Sequence, residues 1–181
     1  WFHAFFNEGL YRGSFLTHRV AYNPHIHIAA NFVALVNALI AEKEEIPYSK
    51  KKVFAEDLVL AKAAVSAREK EDVLTIIREY RAGFDPSHDK IVLINPNASE
   101  LLIQRRWPPA HYVRLMKMIL EKCPKALILI TGDPSERQEA DQLQKQVGDD
   151  RCVNFAGKVR FAQLPALYSV SEFMVTNDSG P

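Results

Sequence analysis

The chain has 181 residues, 48% of them hydrophobic and 25% charged, which suits one globular domain or one and a half and argues against disorder over most of its length. Its 23 basic and 22 acidic side chains leave a formal charge of +1, so no global field recommends nucleic acid as a partner. The two cysteines, Cys123 and Cys152, are too few for a disulfide framework, and both read as small buried hydrophobes of a protein in a reducing cytoplasm.

Residues 1–24 are aromatic and β-branched, interrupted by Gly9, Gly13 and Asn23-Pro24, and predict short strands and loops. With no initiator Met, basic leader or small-residue cleavage site at Trp1, the numbering is expected to start inside a longer natural chain. Residues 26–42 predict a core helix. Its apolar tract is broken by His27, Asn31 and Asn37 and falls short of the ~20 residues of a membrane span. His25 and His27 stand two apart rather than four, which disfavours a helical metal pair. Lys50, Lys51 and Lys52 read as a solvated loop rather than a lipid or phosphate site. No period persists over residues 46–67. Ser66 and Glu69 then have capping-box spacing, and Val73, Ile77 and Tyr80 continue a helix towards Gly83. The polar, turn-rich stretch 83–90 is expected to be a linker.

Beyond it the pattern becomes regular. A strand at 91–95 is followed by a helix at 108–122, with proline in its first turn and Val113, Met116 and Leu120 on one face. Pro124 ends that helix, and a second strand covers 126–131. Asp133 caps a helix reaching about Val147, which Gly148 closes. A strand at 152–155 leads through Gly157-Lys158 into a helix at 161–169, and a last strand, 172–176, runs into Asn177-Asp178-Ser179-Gly180-Pro181. Strands alternating with helices imply an α/β domain with a parallel, Rossmann-like sheet, right-handed crossovers and helices on both faces. In such a sheet every strand-to-helix loop lies on one edge, where ligands bind. Residues 96–107, 132–136, 156–159 and 177–181 are therefore expected to converge.

The last turn is the most informative. A strand entering Asp-Ser-Gly-Pro predicts a helix start whose free N–H groups face an anion, with Gly180 permitting close approach and Ser179 capping or donating. The competing reading is an ordinary capped turn, which is common. Arg105-Arg106-Trp107-Pro108 sets two guanidinium groups, suited to bidentate phosphate contacts, beside an aromatic ring; the alternative is a Trp107 core anchor flanked by solvated arginines. Glu136 stands where nucleotide-binding folds use an acid against ribose hydroxyls, or is simply a favourable charge in a first helical turn. Lys158 reaches the base or phosphates, or faces water. Asp149-Asp150 lies in a turn and needs no cation. No Ser-His-Asp set, Walker loop, repeat or low-complexity segment is visible.

Taken in order, Asn95-Pro96-Asn97-Ala98-Ser99, Arg105-Arg106-Trp107-Pro108, Thr131-Gly132-Asp133-Pro134-Ser135-Glu136-Arg137, Phe155-Ala156-Gly157-Lys158 and Thr176-Asn177-Asp178-Ser179-Gly180-Pro181 resemble the family 9 glycosyltransferases, whose best-known members are the ADP-heptose transferases of lipopolysaccharide core synthesis. A weaker likeness extends over residues 1–45 through Gly9-Leu10-Tyr11-Arg12-Gly13 and Thr17-His18-Arg19-Val20. The resemblance implies a GT-B architecture: residues 1–82 would end an acceptor-side domain, and 91–181 would be a donor-binding domain that stops within its phosphate-binding turn. It also implies metal-independent, inverting transfer without a cofactor, from a nucleotide-diphosphate sugar such as ADP-heptose to a lipid-linked or glycan acceptor. The implied location is cytoplasmic and peripheral at the inner membrane. Carried over by motif position, Asn95 contacts donor at a strand end and Arg105 the diphosphate, although heptosyltransferases often show Lys there. Glu136 stands at the ribose or base, Lys158 and Val159 beside the base, and Asn177, Asp178, Ser179 and Gly180 at the diphosphate and sugar. The family's general base is an Asp in an early loop of the amino-terminal domain, expected upstream of Trp1, so no catalytic residue is named. A GT-B nucleotide-sugar epimerase and a non-catalytic nucleotide-binding module remain the alternatives.

Overall fold

The computed structural model describes residues 20, 23–40, 53–54, 56, 58–59, 62–97 and 106–177. It divides into two compact units, Trp1–Lys62 and Ala63–Pro181.

In the first unit, helix α1 spans Ile28–Asn37 and tightens into a 3-10 turn at Ala38–Ile40. This is the core of the helix expected over 26–42; residues 41 and 42 lie outside the described set, as do the strands expected before residue 20. The imidazole Nδ1 of His27 accepts the N–H of Ala29, so this histidine caps the helix. Buried Asn31 accepts from the N–H of Asn23 and donates to its carbonyl, both at 2.9 Å, which pins the Asn-Pro turn onto the helix.

The second unit begins with α2, Ala67–Tyr80, opened by the reciprocal Ser66–Glu69 capping box that the spacing predicts. There follow β1 (Lys90–Asn95), α3 (Pro109–Lys122), β2 (Ala126–Ile130), a 3-10 turn at Pro134–Glu136 leading into α4 (Arg137–Val147), β3 (Cys152–Asn154), α5 (Leu164–Ser169) and β4 (Phe173–Thr176). Gly148 closes α4 in the left-handed conformation, φ 71°. The sheet is wholly parallel, in the order β3-β2-β1-β4.

Both faces of this sheet are covered, which explains why its central strands are unbroken apolar runs instead of alternating ones. Val92, Ile94, Ala126, Ile128 and Ile130 meet Tyr112, Met116 and Leu120 of α3 and Ala140, Leu143 and Val147 of α4. Ile91, Leu93, Leu127 and Leu129 meet Val73 and Ile77 of α2 and Ala166 and Leu167 of α5. The period-2 geometry of a strand sends successive side chains to these opposite cores.

Two expectations are corrected. The turn at 83–90 is no linker: Phe84 is buried in the same cluster as Val73, Ile77 and Leu93, so the sheet unit already starts at Ala63 and includes α2. Cys123, read as buried, is exposed, because it is the residue that terminates α3 ahead of Pro124. Cys152 is buried, and desolvation pushes its thiol up to about 12.

Candidate functional site

β1 is the first strand, and its neighbours are β2 on one side and β4 on the other, so the chain winds outwards through β2 and β3 before returning to pair with β1 across its free edge. Strand order reverses between β1 and β4, and their carboxyl ends, Asn95 opposite Thr176, frame the crevice where such sheets bind ligands.

One side chain ties this edge together. The amide nitrogen of Asn177 donates to the carbonyls of Pro96, at 2.6 Å, and Asn97, at 3.4 Å, while its oxygen accepts from the Trp107 N–H at 3.0 Å and the Tyr112 hydroxyl at 2.9 Å. A primary amide has two donor hydrogens and two acceptor lone pairs, and all four are used within the protein. The side-chain amide of Asn177 is thus engaged by the protein at the strand end where a donor contact was expected. Tyr112 is sealed in the core, and burial raises its phenol pKa, so it stays a neutral donor. Its ring meets Trp107 edge-on at 5.0 Å, and Trp107 also leans against His111 at 5.2 Å. The indole is 43% exposed, so it is an anchor at the rim and not a residue of the deep core.

The turns after β2 and β3 close on each other. The Gly157 N–H donates to the Gly132 carbonyl at 2.9 Å. A Cβ on Gly157, whose φ is 66°, would stand 2.8 Å from the Pro134 Cα, so only glycine allows this contact. Buried Asn154 donates to the Arg137 carbonyl and the Asp141 carboxylate and accepts from the Ala156 N–H, joining the end of β3 to the first turn of α4. Asp133 accepts from the backbone N–H and hydroxyl of Ser135, which hold its carboxyl below the usual range, and Glu136 Oε2 returns to the Asp133 N–H at 2.6 Å. Glu136 is thus engaged in a capping box through Oε2.

Gly132 links the two halves of the edge. A Cβ there would lie 2.6 Å from Asn97 Nδ2 and 2.7 Å from Glu136 Oε2, so an amide donor and a carboxylate acceptor flank one bare Cα. Asn97 is only 7% exposed. Asn95, half-buried, accepts from the Asn97 N–H at 3.2 Å.

The structure thus brings Asn95, Glu136 and Asn177 to one edge. Lys158 follows β3 as expected, but its ammonium sits 4.1 Å above the Tyr80 ring, which in turn packs edge-on against Phe155. Val159 packs against the cluster under α2 and α5. Arg105, Asp178, Ser179 and Gly180, the phosphate candidates, lie outside the described residues. Among the described residues no group of three or more His, Cys, Asp or Glu is placed to hold a metal ion. Asp149 pairs with Arg151 at 2.7 Å, and Asp150 with Arg81. Tyr112, Asn97 and Asn154 are assigned no role from the sequence. Asn154 ends β3 and Asn97 stands just beyond β1, and both carry amides, a local signal, but most of their partners lie ten or more residues away.

A doubly wound parallel sheet with polar turns gathered where the strand order reverses defines a Rossmann-like fold, of the class that holds nucleotides at that edge. More particularly, the chain belongs to glycosyltransferase family 9 (heptosyltransferase), whose family model matches residues 9–181. Two solved structures share the fold, each with a TM-score of 0.56 over 81% of this chain. One is the ADP-heptose lps heptosyltransferase II of E. coli, at 22% identity, and the other a family 9 glycosyl transferase of Veillonella parvula, at 16%. The chain spans 42% and 38% of those two proteins. No curated protein matches it. No helix among the described residues is long and apolar enough to cross a membrane.

Proposed function

We propose that the sheet unit is the donor-binding part of a glycosyltransferase that moves a heptose-type sugar from a nucleotide diphosphate to a lipopolysaccharide-core or related glycan acceptor. The observation that carries this reading is the family match over residues 9–181, supported by a parallel sheet whose strand order reverses between β1 and β4, with Asn95, Glu136 and Asn177 on that edge. In the proposed assignment Glu136 and Asn95 face the ribose and the adjoining part of the donor, Lys158 and Val159 the base, and Arg105 with Asp178, Ser179 and Gly180 the diphosphate and sugar. Lys158 has to leave the Tyr80 ring to serve there.

Transfer requires a base for the acceptor hydroxyl proton and positive charge or N–H dipoles for the departing diphosphate. Arg105 and the amides of Ser179 and Gly180 suit the second task, without a metal or cofactor. The base is assigned to the acceptor side, outside the residues named here, and the transfer inverts the anomeric centre. The acceptor is met at the cytoplasmic face of the inner membrane.

The test is turnover by the full-length protein with ADP-heptose and a truncated lipopolysaccharide-core acceptor. Acceptor-dependent release of ADP is expected. Conversion of the sugar nucleotide with no acceptor present would indicate an epimerase instead, and binding of nucleotide without any conversion a non-catalytic module.

A further inference from the structure

The backbone and the side chain of Lys158 are held by different parts of the sheet unit. Its N–H donates to the Phe155 carbonyl at 3.2 Å, and the preceding Gly157 is bonded to Gly132, so the backbone belongs to the locked turn after β3. The ammonium lies 4.1 Å from the centre of the ring of Tyr80, the last residue of α2. That ring is itself set edge-on against buried Phe155, at 6.0 Å between centroids. Among the described residues no carboxylate forms an ion pair with Lys158, so the ring is what holds the charge. α2 covers the sheet face built on Ile91, Leu93, Leu127 and Leu129, whereas Glu136 leads into α4, which covers the other face. The lysine is therefore drawn to the side of the sheet opposite the one that Glu136 enters.

We infer that Tyr80 is a positioning residue that acts through Lys158: its ring parks the ammonium while the site is empty, and a bound nucleotide takes the ammonium from the ring. This rests on the donor-site reading above, in which Lys158 serves the nucleotide. One ammonium cannot be parked on the ring and reach across to the nucleotide at once, so the two contacts compete. A ligand shifts such an equilibrium only by its differential affinity for the two states, and whatever the ring contributes is subtracted from nucleotide binding. Weakening the ring contact should therefore tighten the nucleotide. The attraction comes from the face of the ring and not from the phenol hydroxyl, so phenylalanine should replace tyrosine and leucine should not.

The experiment measures ADP binding by calorimetry in the full-length protein for wild type, Tyr80→Phe and Tyr80→Leu, each with and without Lys158→Met. In parallel, magnetic resonance follows the ε-methylene signals of isotope-labelled lysine, where the signal that Lys158→Met removes belongs to Lys158. Tyr80→Leu should bind ADP about threefold more tightly and Tyr80→Phe like wild type, and the gain should vanish in the Lys158→Met background. In wild type the Lys158 methylene should be shifted upfield by the ring and return to the ordinary lysine position when ADP is added. Unchanged or weaker ADP binding by Tyr80→Leu would overturn the inference, as would a gain that persists with Lys158→Met or a methylene signal that stays upfield with ADP bound. If Lys158→Met binds ADP as tightly as wild type, the lysine is no nucleotide contact, and the inference falls while the donor-site reading stands. A wild-type protein that binds no ADP fails at that earlier reading and takes the inference with it.

Discussion

The carboxyl edge of the sheet is built in two ways. After β2 and β3 the turns lock through their own backbone and through apolar contact: Gly157 against Pro134, the Gly157–Gly132 hydrogen bond, and Asn154 bridging to α4. At the ends of β1 and β4, among the described residues, one amide, Asn177, joins Pro96 and Asn97 to Trp107 and Tyr112. The first half is over-determined by many contacts in a short stretch, so it resists change and sets a platform. The second, among the described residues, concentrates its side-chain hydrogen bonds in one residue.

Substitutions should expose that division. The largest effect is expected at Gly157→Ala, which combines a left-handed backbone with a Cβ 2.8 Å from the Pro134 backbone. Strain and overpacking together should cost about 3 kcal/mol in urea unfolding. A loss below about 1 kcal/mol would mean that the two turns yield readily and that the platform is not rigid. Asn154→Ala comes next, at about 2 kcal/mol, since it strands the buried Ala156 N–H and removes the amide's bonds to the first turn of α4.

Gly132→Ala sharpens the contrast because its Cβ meets side-chain ends, Asn97 Nδ2 and Glu136 Oε2, and not backbone. Those ends can move aside. Stability should fall by only about 1 kcal/mol, while affinity of the full-length protein for a nucleoside diphosphate drops about tenfold or more as both groups are displaced. A variant that melts early but binds normally would reverse the assignment of Gly132 to the site. Tyr112→Phe removes one of the two donors to the Asn177 oxygen and should cost about 1 kcal/mol, leaving the Trp107 bond in place.

The smallest effect lies away from the rim, at Asp149. Hydrogen bonds from Arg151 hold its carboxyl below the usual range, so its contribution is complete above the unfolded value of about 4 and is lost as pH falls through the lower folded value. With the pair still 27–29% exposed, the contribution should be under about 1 kcal/mol. Asp149→Asn should therefore unfold like wild type less that small amount at pH 7, with a flatter decline between pH 4 and pH 2. A difference that appears only above pH 5 would contradict the pairing.

The elements of the sheet unit were legible in the sequence because local rules agree with tertiary demand. Ser66 with Glu69, Pro109, Asp133 and Gly148 mark helix ends by their own chemistry, and the runs at 91–94 and 126–130 are the apolar strands of a sheet covered on both sides. The place of α2 was misread because polarity in 83–90 suggests a break, whereas one buried side chain, Phe84, decides that the chain stays on the same core. At the rim, Asn95 and Glu136 were located by the topology of a parallel sheet. The role of Asn177 was not, since its partners lie 65 to 81 residues away and no local pattern reports them. Lys158 likewise met a ring supplied by α2, remote in sequence.

The Asn177 clasp also bears on how such a scaffold can diversify. A loop whose two feet are held by one amide can gain or lose residues between them at little entropic cost, because closure entropy grows only slowly with length. Changes of length between Asn97 and Trp107 need not disturb the sheet so long as Asn177 and Tyr112 are kept, because the bonds of the clasp fall on the two ends of that stretch.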